Sequence, residues 1–436
     1  MKTSTLIKAL MMRSAIAAVL VTGAALPAFA DELGDRLGAL LASHERVKAA
    51  QADLEAAQAN VESARGGYYP TASVTANYGN ERIQTHDTNT TTSFAQRETD
   101  LNLSQTLYDF GATDATVGGA HLAVKQAETA LKQTRQAILL AGLSVELNLA
   151  SAKRVLDFQT QSEASIRRQT ELEDARVKRG SGFSTDVLQA KTQLAGAQAA
   201  RVRARGTLQQ TVNRYRAVFG DVPADLSGVG NIKLATADIP ADVDAVVQMA
   251  LENNYQVRAS QLQSEIATTE IERSFAAGYR PTLSASADQK YKRDVAGTPG
   301  YKNETLVKVE LTYDFNFGFT AANTLKAAKA GYAGTSSRLK DARDQIEEQA
   351  RNAWQNLDTA RANADFLENQ ANIAAEFLEL ARKERTLGQR SLIDVLAGET
   401  SLINAQAAAD RARTDVSIAT LSLLGVMGQL DLSVLQ

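Results

Sequence analysis

The chain has 436 residues, and its 47 Lys and Arg stand against 50 Asp and Glu. That slightly acidic balance excludes a nucleic-acid partner held by charge. No cysteine occurs, which excludes disulfides and a lipid anchor attached through cysteine.

Residues 1–30 read as a secretory signal peptide. Lys2, Lys8 and Arg13 make a basic start, Ala15–Ala25 is a short apolar core, and Ala28-Phe29-Ala30 is a small-x-small cleavage site. Without its three basic residues the balance becomes 44 against 50, about −6. Beyond it no run of about 20 apolar residues occurs, so no transmembrane helix is expected. Any segment that crosses a membrane must then belong to a β-barrel.

Residues 33–66 form the first predicted helix, ended by Gly66, Gly67 and Pro70. A strand follows over Thr71–Tyr78, with Ala72, Val74, Ala76 and Tyr78 on one face. Residues 80–97 are polar and read as an exposed loop, and Leu101, Leu103 and Leu107 mark a second strand. The proline-free stretch that follows is rich in Ala, Leu, Gln, Glu, Lys and Arg, all strong helix formers. It predicts one helix over 112–179, about 100 Å long at 1.5 Å per residue, then a turn at Gly180 and Gly182 and a helix over 184–218. Residues 221–240, which contain Pro223 and Pro240, read as a linker.

The same order then recurs. A helix is expected near 241–276, a strand at Leu283, Ala285 and Ala287, and a polar loop over 290–304. Residues 307–317 alternate strictly, with Val307, Val309, Leu311, Tyr313, Phe315 and Phe317 on one face. Helices near 320–387 and 391–427 flank a turn at Gly388.

The recurrence is visible residue by residue. Asn148–Arg205 aligns without a gap with Asn356–Arg413, and 20 of the 58 positions are identical. Gly67-Tyr68-Tyr69-Pro70-Thr71 mirrors Gly278-Tyr279-Arg280-Pro281-Thr282, and Tyr108-Asp109-Phe110 returns as Tyr313-Asp314-Phe315. A period near 208 is too long for a solenoid. Residues 31–220 and 241–436 are therefore read as two tandem repeats of one organisation. In each, two shorter helices together match the long one, which suits stacking them end to end beside it. Val187, Ala190, Leu194 and Ala197 step by 3, 4 and 3, as do Val395, Gly398, Leu402 and Ala405, a coiled-coil spacing with small seam residues. Each strand has about the length a membrane-spanning barrel strand needs, and Tyr68, Tyr69, Tyr78 and Tyr279 fall near strand ends, where an aromatic girdle belongs. Four strands cannot close a barrel of useful bore, so several chains would have to pool theirs.

In this order, and doubled, these motifs resemble the TolC family of outer-membrane efflux and secretion ducts. The resemblance covers essentially the whole chain after the signal peptide. It is carried by the approaches to the strands at Tyr69-Pro70 and Tyr279-Arg280-Pro281, by Leu103–Gly111, and by the hairpins beginning at Gly182 and Gly388. It implies an α+β membrane protein. Three chains with four strands each would close a 12-stranded outer-membrane β-barrel, continuous with a periplasmic α-helical coiled-coil tube. It also implies a homotrimer in outer-membrane lipid, working with a periplasmic adaptor and an inner-membrane pump of the ABC transporter type. The expected activity is passive conduction of substrate out of the cell, without catalysis or cofactor.

The resemblance further implies a gate at the hairpin tips. Asp394 would form a ring of three carboxylates on the three-fold axis, a negative constriction that favours cations. Asp186 is its counterpart in the first repeat, and Arg390, one helical turn before Asp394, would pair with Asp186 of a neighbouring hairpin. The family pattern has a second aspartate three residues further on; here Ala397 stands there, so the constriction is expected to be less negative. Helix capping after the glycine turn is the alternative role for both aspartates.

Nothing else in the chain carries chemistry. His44, His86 and His121 are isolated, Trp354 reads as a packing residue, and no nucleophile triad or phosphate loop occurs. A structural periplasmic coiled-coil scaffold is the alternative from another class, and the alternating strand at 307–317 speaks against it. For cargo, the resemblance implies protein secretion by a type I system, since the hairpins look closer to that branch and many drug-dedicated relatives carry a lipidated N-terminal cysteine that this chain lacks, with small-molecule or drug efflux as the other reading.

Overall fold

The computed structural model describes residues 28–86, 90–181, 183–222, 239–315 and 317–434. Positions 1–27 of the expected signal peptide, Gly182 and most of the 221–240 linker lie outside the described residues.

Eight long helical segments and one sheet make up the described chain. α1 (Ala28–Ser43) and α2 (Glu45–Arg65) lead into β1 (Thr71–Thr85) and β2 (Thr90–Tyr108). α3 (Ala112–Lys178) and α4 (Ser184–Phe219) complete the first half. The second half runs α5 (Val243–Asn253), α6 (Tyr255–Tyr279), β3 (Thr282–Arg293), β4 (Tyr301–Thr312), α7 (Thr320–Thr386) and α8 (Leu392–Val426). α3 and α7 each contain 67 residues, so each spans about 100 Å. Among the described residues no helix is long and apolar enough to cross a membrane.

Two predicted helices are broken, at equivalent places. The one expected over 33–66 is interrupted at His44, and the one over 241–276 at Asn254. Both residues are extended, with φ −66 and ψ 130 at His44 and φ −64 and ψ 129 at Asn254. Each side chain accepts a backbone N–H two residues on, from Arg46 and Gln256, satisfying an otherwise orphaned donor of the next helix. The break lets α1 and α5 bend onto the middle of the long helices while α2 and α6 continue toward the sheet.

The main apolar core lies at that bend. Leu37 and Leu143 are fully buried there, together with Val246, Ile346, Leu421 and Met427. α1 meets the end of α4 over Gly142, where an added Cβ would stand 2.9 Å from a Leu37 methyl and 3.4 Å from the Phe219 ring. Away from this knot the core thins to small side chains. Val187, Ala190, Ala197, Val395 and Ala405 are buried, as the coiled-coil spacing requires. On α7 the buried residues Ala350, Leu357, Ala364, Ala371 and Leu378 step by seven, a heptad seam that its alanines conceal.

The sheet is antiparallel in the order β1-β2-β3-β4. Its register runs Thr71↔Ser104 to Thr85↔Thr90, Arg97↔Arg293 to Tyr108↔Leu283 with an irregularity at Thr106, and Thr282↔Thr312 to Arg293↔Tyr301. Most of the loop expected over 80–97 is strand, and so are the ends of the one expected over 290–304. Their residues are polar because one sheet face is polar, so polarity did not mark a turn. Conversely, β4 stops at Thr312, short of the predicted 317. Tyr313 and Phe315 leave the sheet and pack edge to face at 4.7 Å, as Tyr108 and Phe110 do at 4.6 Å. Tyr78 lies in the middle of β1, not at its end.

Candidate gate and membrane-facing sheet

The two helical hairpins end alike. Gly180 has φ 77 and Gly388 φ 78, a left-handed conformation that glycine adopts without strain. The Gly180 N–H donates to the Val177 carbonyl at 2.9 Å and the Ser181 N–H to Arg176 at 3.0 Å. At the second tip Gly388 donates to Arg385 at 3.1 Å and Gln389 to Glu384 at 3.0 Å. Both are Schellman endings, which cap the last carbonyls of the long helices and reverse the chain.

Asp186 and Asp394 each occupy the third position of the helix that follows, so neither is the capping residue. Phe183 precedes α4 without a side-chain cap, and at α8 the cap is Ser391, whose hydroxyl accepts the Asp394 N–H at 3.2 Å. In the first turn both carboxylates instead face the positive end of the helix dipole. Within the chain Arg390 donates to Glu384 at 2.5 Å, lies 4.0 Å from Asp394, and covers the Phe377 ring at 5.5 Å. Asp186 forms no ion pair among the described residues of its own chain.

One interaction at the tip was not foreseen. Glu173, on the last turns of α3, is 5% exposed and accepts from Arg385 of α7 at 3.0 Å and from Arg176 at 3.4 Å. A second Arg385 nitrogen donates to the Arg390 carbonyl at 3.2 Å. This fastens the two hairpins to each other. Similar buried carboxylates recur up the helices. Glu399 meets Arg382, Glu163 meets Arg167 and Arg201, Asp410 meets Ser151 and Arg154, and Glu146 meets Arg36 at 3.1 Å. Taken singly in sequence, these acids look like solvated helix faces, which is why they went unnoticed.

At the other end, Pro70 and Pro281 stand immediately before β1 and β3. Each fixes an extended approach where a helix gives way to a strand. Tyr69 is exposed. Tyr279, the last residue of α6, stacks on Phe275 at 5.5 Å. With Tyr108, Tyr313, Phe315, Phe317 and Phe319, all exposed, they surround the helix-proximal end of the sheet with aromatic rings.

The sheet itself has two unlike faces. One carries Val74, Leu101, Leu103, Val307, Val309 and Leu311, exposed by 45 to 74%. The other carries Glu98, Asp100, Lys290, Lys292 and Glu304. Lys292 lies 2.8 Å from Glu304 and 3.5 Å from Glu98, and Lys290 lies 3.5 Å from Asp100. A broad exposed apolar face marks a surface that water does not cover. An antiparallel sheet that is apolar on one face and charged on the other, set on helices of about 100 Å, has the alternation of strands that turn one face to lipid and the other to water.

Comparison with known proteins agrees. The sequence model described as "OEP: Outer membrane efflux protein" matches twice, at residues 37–221 and 246–429, and the chain belongs to that family. It is 25% identical over 420 residues to the outer membrane efflux protein BepC of Brucella suis, covering 95% of this chain and 90% of BepC. It is 24% identical over 404 residues to TolC of Escherichia coli, covering 89% and 80%. It is 24% identical over 339 residues to the alkaline protease secretion protein AprF of Pseudomonas aeruginosa, covering 76% and 69%. Among solved structures, a membrane protein from Pseudomonas aeruginosa superposes with a TM-score of 0.80 at 20% identity, over 92% of this chain and 94% of that one. The protein is thus an export channel of the outer membrane that extends into the periplasm, and not an enzyme.

Proposed function

We propose that three copies of this chain assemble into a passive duct, in which twelve strands close one barrel and the helices form the periplasmic tube. The observation that supports this most is the sheet. Its outer strands β1 and β4, of 15 and 12 residues, have no partner on their open sides among the described residues. Long bare edges of this kind invite pairing with another chain. A closed ring of identical sheets satisfies every edge and puts the charged face around an aqueous lumen.

In this duct the hairpin tips meet at the periplasmic end. Three Asp394 carboxylates line the constriction, and Asp186 is free to receive Arg390 of a neighbour. Opening then requires Arg390 to leave its partners and the tips to separate. An adaptor protein and an inner-membrane pump complete the system, and the pump supplies the energy. Neutralising Arg390 or Asp186 raises the conductance of the purified channel in this account; conductance at the wild-type level would remove the latch.

For cargo, protein secretion by a type I system with an ABC transporter is the preferred reading. The similarity to AprF and the absence of cysteine support it. Efflux, which we take as efflux of small molecules, is favoured instead by the likeness to the outer membrane efflux protein BepC, which covers more of both chains. A strain lacking the gene separates them: loss of a secreted protein supports secretion, and new drug sensitivity with unchanged secretion supports efflux.

A further inference from the structure

The charges of the sheet are sorted by face and by kind. All six strand carboxylates, Glu81, Glu98, Asp100, Asp288, Glu304 and Glu310, occupy the polar face, as do all four lysines, Lys290, Lys292, Lys302 and Lys308. The three strand arginines, Arg82, Arg97 and Arg293, are all on the other face, the one that carries the apolar band. They lie toward the hairpin turns, at the end of the sheet remote from the helices. In the proposed barrel that end is the outer leaflet of the membrane.

Arg97 and Arg293 are direct cross-strand partners in a row that reads Tyr78, Arg97, Arg293, Tyr301. The guanidiniums lean on the flanking rings, Arg97 at 5.6 Å from the centre of Tyr78 and Arg293 at 4.9 Å from that of Tyr301. Like charges directly opposite each other weaken an antiparallel pair. Among the described residues the only acid in contact is Asp294, 3.3 Å from Arg293 and just beyond the strand. Arg82, two strand steps beyond the row on the same face, forms no ion pair among the described residues. Along β4, Tyr301 stands ten residues above Leu311. At about 3.4 Å per residue and a tilt of about 40° this is about 26 Å along the membrane normal. That is about the height of the apolar band of such barrels, about 25 Å, so the row sits at the band's outer edge, at headgroup level.

We propose that Arg82, Arg97 and Arg293 bind the phosphate groups of an anionic phosphorylated lipid headgroup in the outer leaflet. A planar guanidinium matches phosphate with paired hydrogen bonds and is weakly hydrated, which suits a lipid-facing site better than lysine. A phosphate bridging Arg97 and Arg293 also removes their mutual repulsion. The tyrosine rings restrain both side chains, so less rotamer freedom is lost on binding. The site rests on the barrel reading, because only there does this face meet lipid.

The test uses the purified full-length protein in neutral detergent, with native mass spectrometry and titration of a bisphosphorylated lipid A, its dephosphorylated form and inorganic phosphate. The wild type is expected to bind the phosphorylated lipid at least ten-fold more tightly than the dephosphorylated one, and inorganic phosphate is expected to compete poorly. Arg97→Gln with Arg293→Gln abolishes the preference, Arg97→Lys with Arg293→Lys keeps part of it, and Lys290→Gln with Lys292→Gln, on the opposite face, leaves it intact. Equal binding of both lipids by the wild type would overturn the inference. So would an unchanged preference in the Gln pair, or an equal loss in the inner-face pair. Channel activity of each variant in bilayers keeps the two ideas apart. Conducting channels without a phosphate preference sink only the lipid site, whereas failure to form channels at all sinks the barrel.

Discussion

Arg385→Met removes the closer partner of a buried carboxylate at the hairpin tip. Glu173 is 5% exposed, and its oxygen lies 3.0 Å from Arg385 and 3.4 Å from Arg176. Stranding a buried charge costs about 3–5 kcal/mol when nothing replaces the lost partner. Arg176 remains, half exposed and at longer range, so about 2 kcal/mol is the expected share. Loss of the bond from Arg385 to the Arg390 carbonyl adds about 1 kcal/mol. The tip should then open locally with about 3 kcal/mol less resistance, which is about 100-fold at 1.4 kcal/mol per decade. In the double variant Glu173→Gln with Arg385→Met no charge is stranded, and only the last contribution, about 1 kcal/mol, should persist. Hydrogen exchange over residues 173–180 and 383–392 reads the effect. Acceleration below about three-fold in Arg385→Met would refute the reasoning, as would a double variant that exchanges as fast as the single one.

Three other perturbations probe different parts of the fold. Gly428 has φ 72, and a Cβ there would stand 2.4 Å from the Asn253 carbonyl oxygen; Gly428→Ala should cost about 3 kcal/mol from strain and overpacking together, seen as a lower melting temperature. Arginine at Val307, on the apolar sheet face, should impair membrane insertion by about 2–4 kcal/mol. Arginine at Ser286 on the opposite face should be tolerated; equal defects in a urea titration of the inserted protein would contradict the facing. Tyr215 is buried, with its hydroxyl accepting from Arg36 at 2.8 Å, and burial followed by the nearby Glu146 charge raises its pKa. The folded state therefore keeps this proton where the unfolded chain loses it. Its contribution is present below about pH 10 and lost above it. Tyr215→Phe should have a visibly flatter loss of stability above about pH 10, the slope difference approaching one proton as the pH rises further; parallel curves would count against it.

The helical half of this architecture was legible because its signals are local and doubled. The lengths of α3 and α7, the seam of small residues and the reversals at Gly180 and Gly388 follow from periodicity and from one backbone conformation. The breaks at His44 and Asn254 were missed because a single capping residue carries each, inside a run of good helix formers. Strand extents were misjudged for a different reason. Glu98, Lys290 and Glu304 are polar because they face the charged side of the sheet, and in sequence that cannot be told from a loop. The contacts at the tip were not legible. Arg390 and Asp394 stood out through the hairpin motif, while Glu173 and Arg385 lie 212 positions apart and only the folding of one repeat against the other joins them.

The central claim is that copies of this chain close a gated pore. Single-channel recording of the purified protein in a planar bilayer, beside Asp394→Ala, tests it most directly. The account predicts discrete, cation-selective steps from a trimer, with selectivity reduced in the variant. A folded protein that remains monomeric and gives no steps, with Arg390→Ala equally silent, would contradict it.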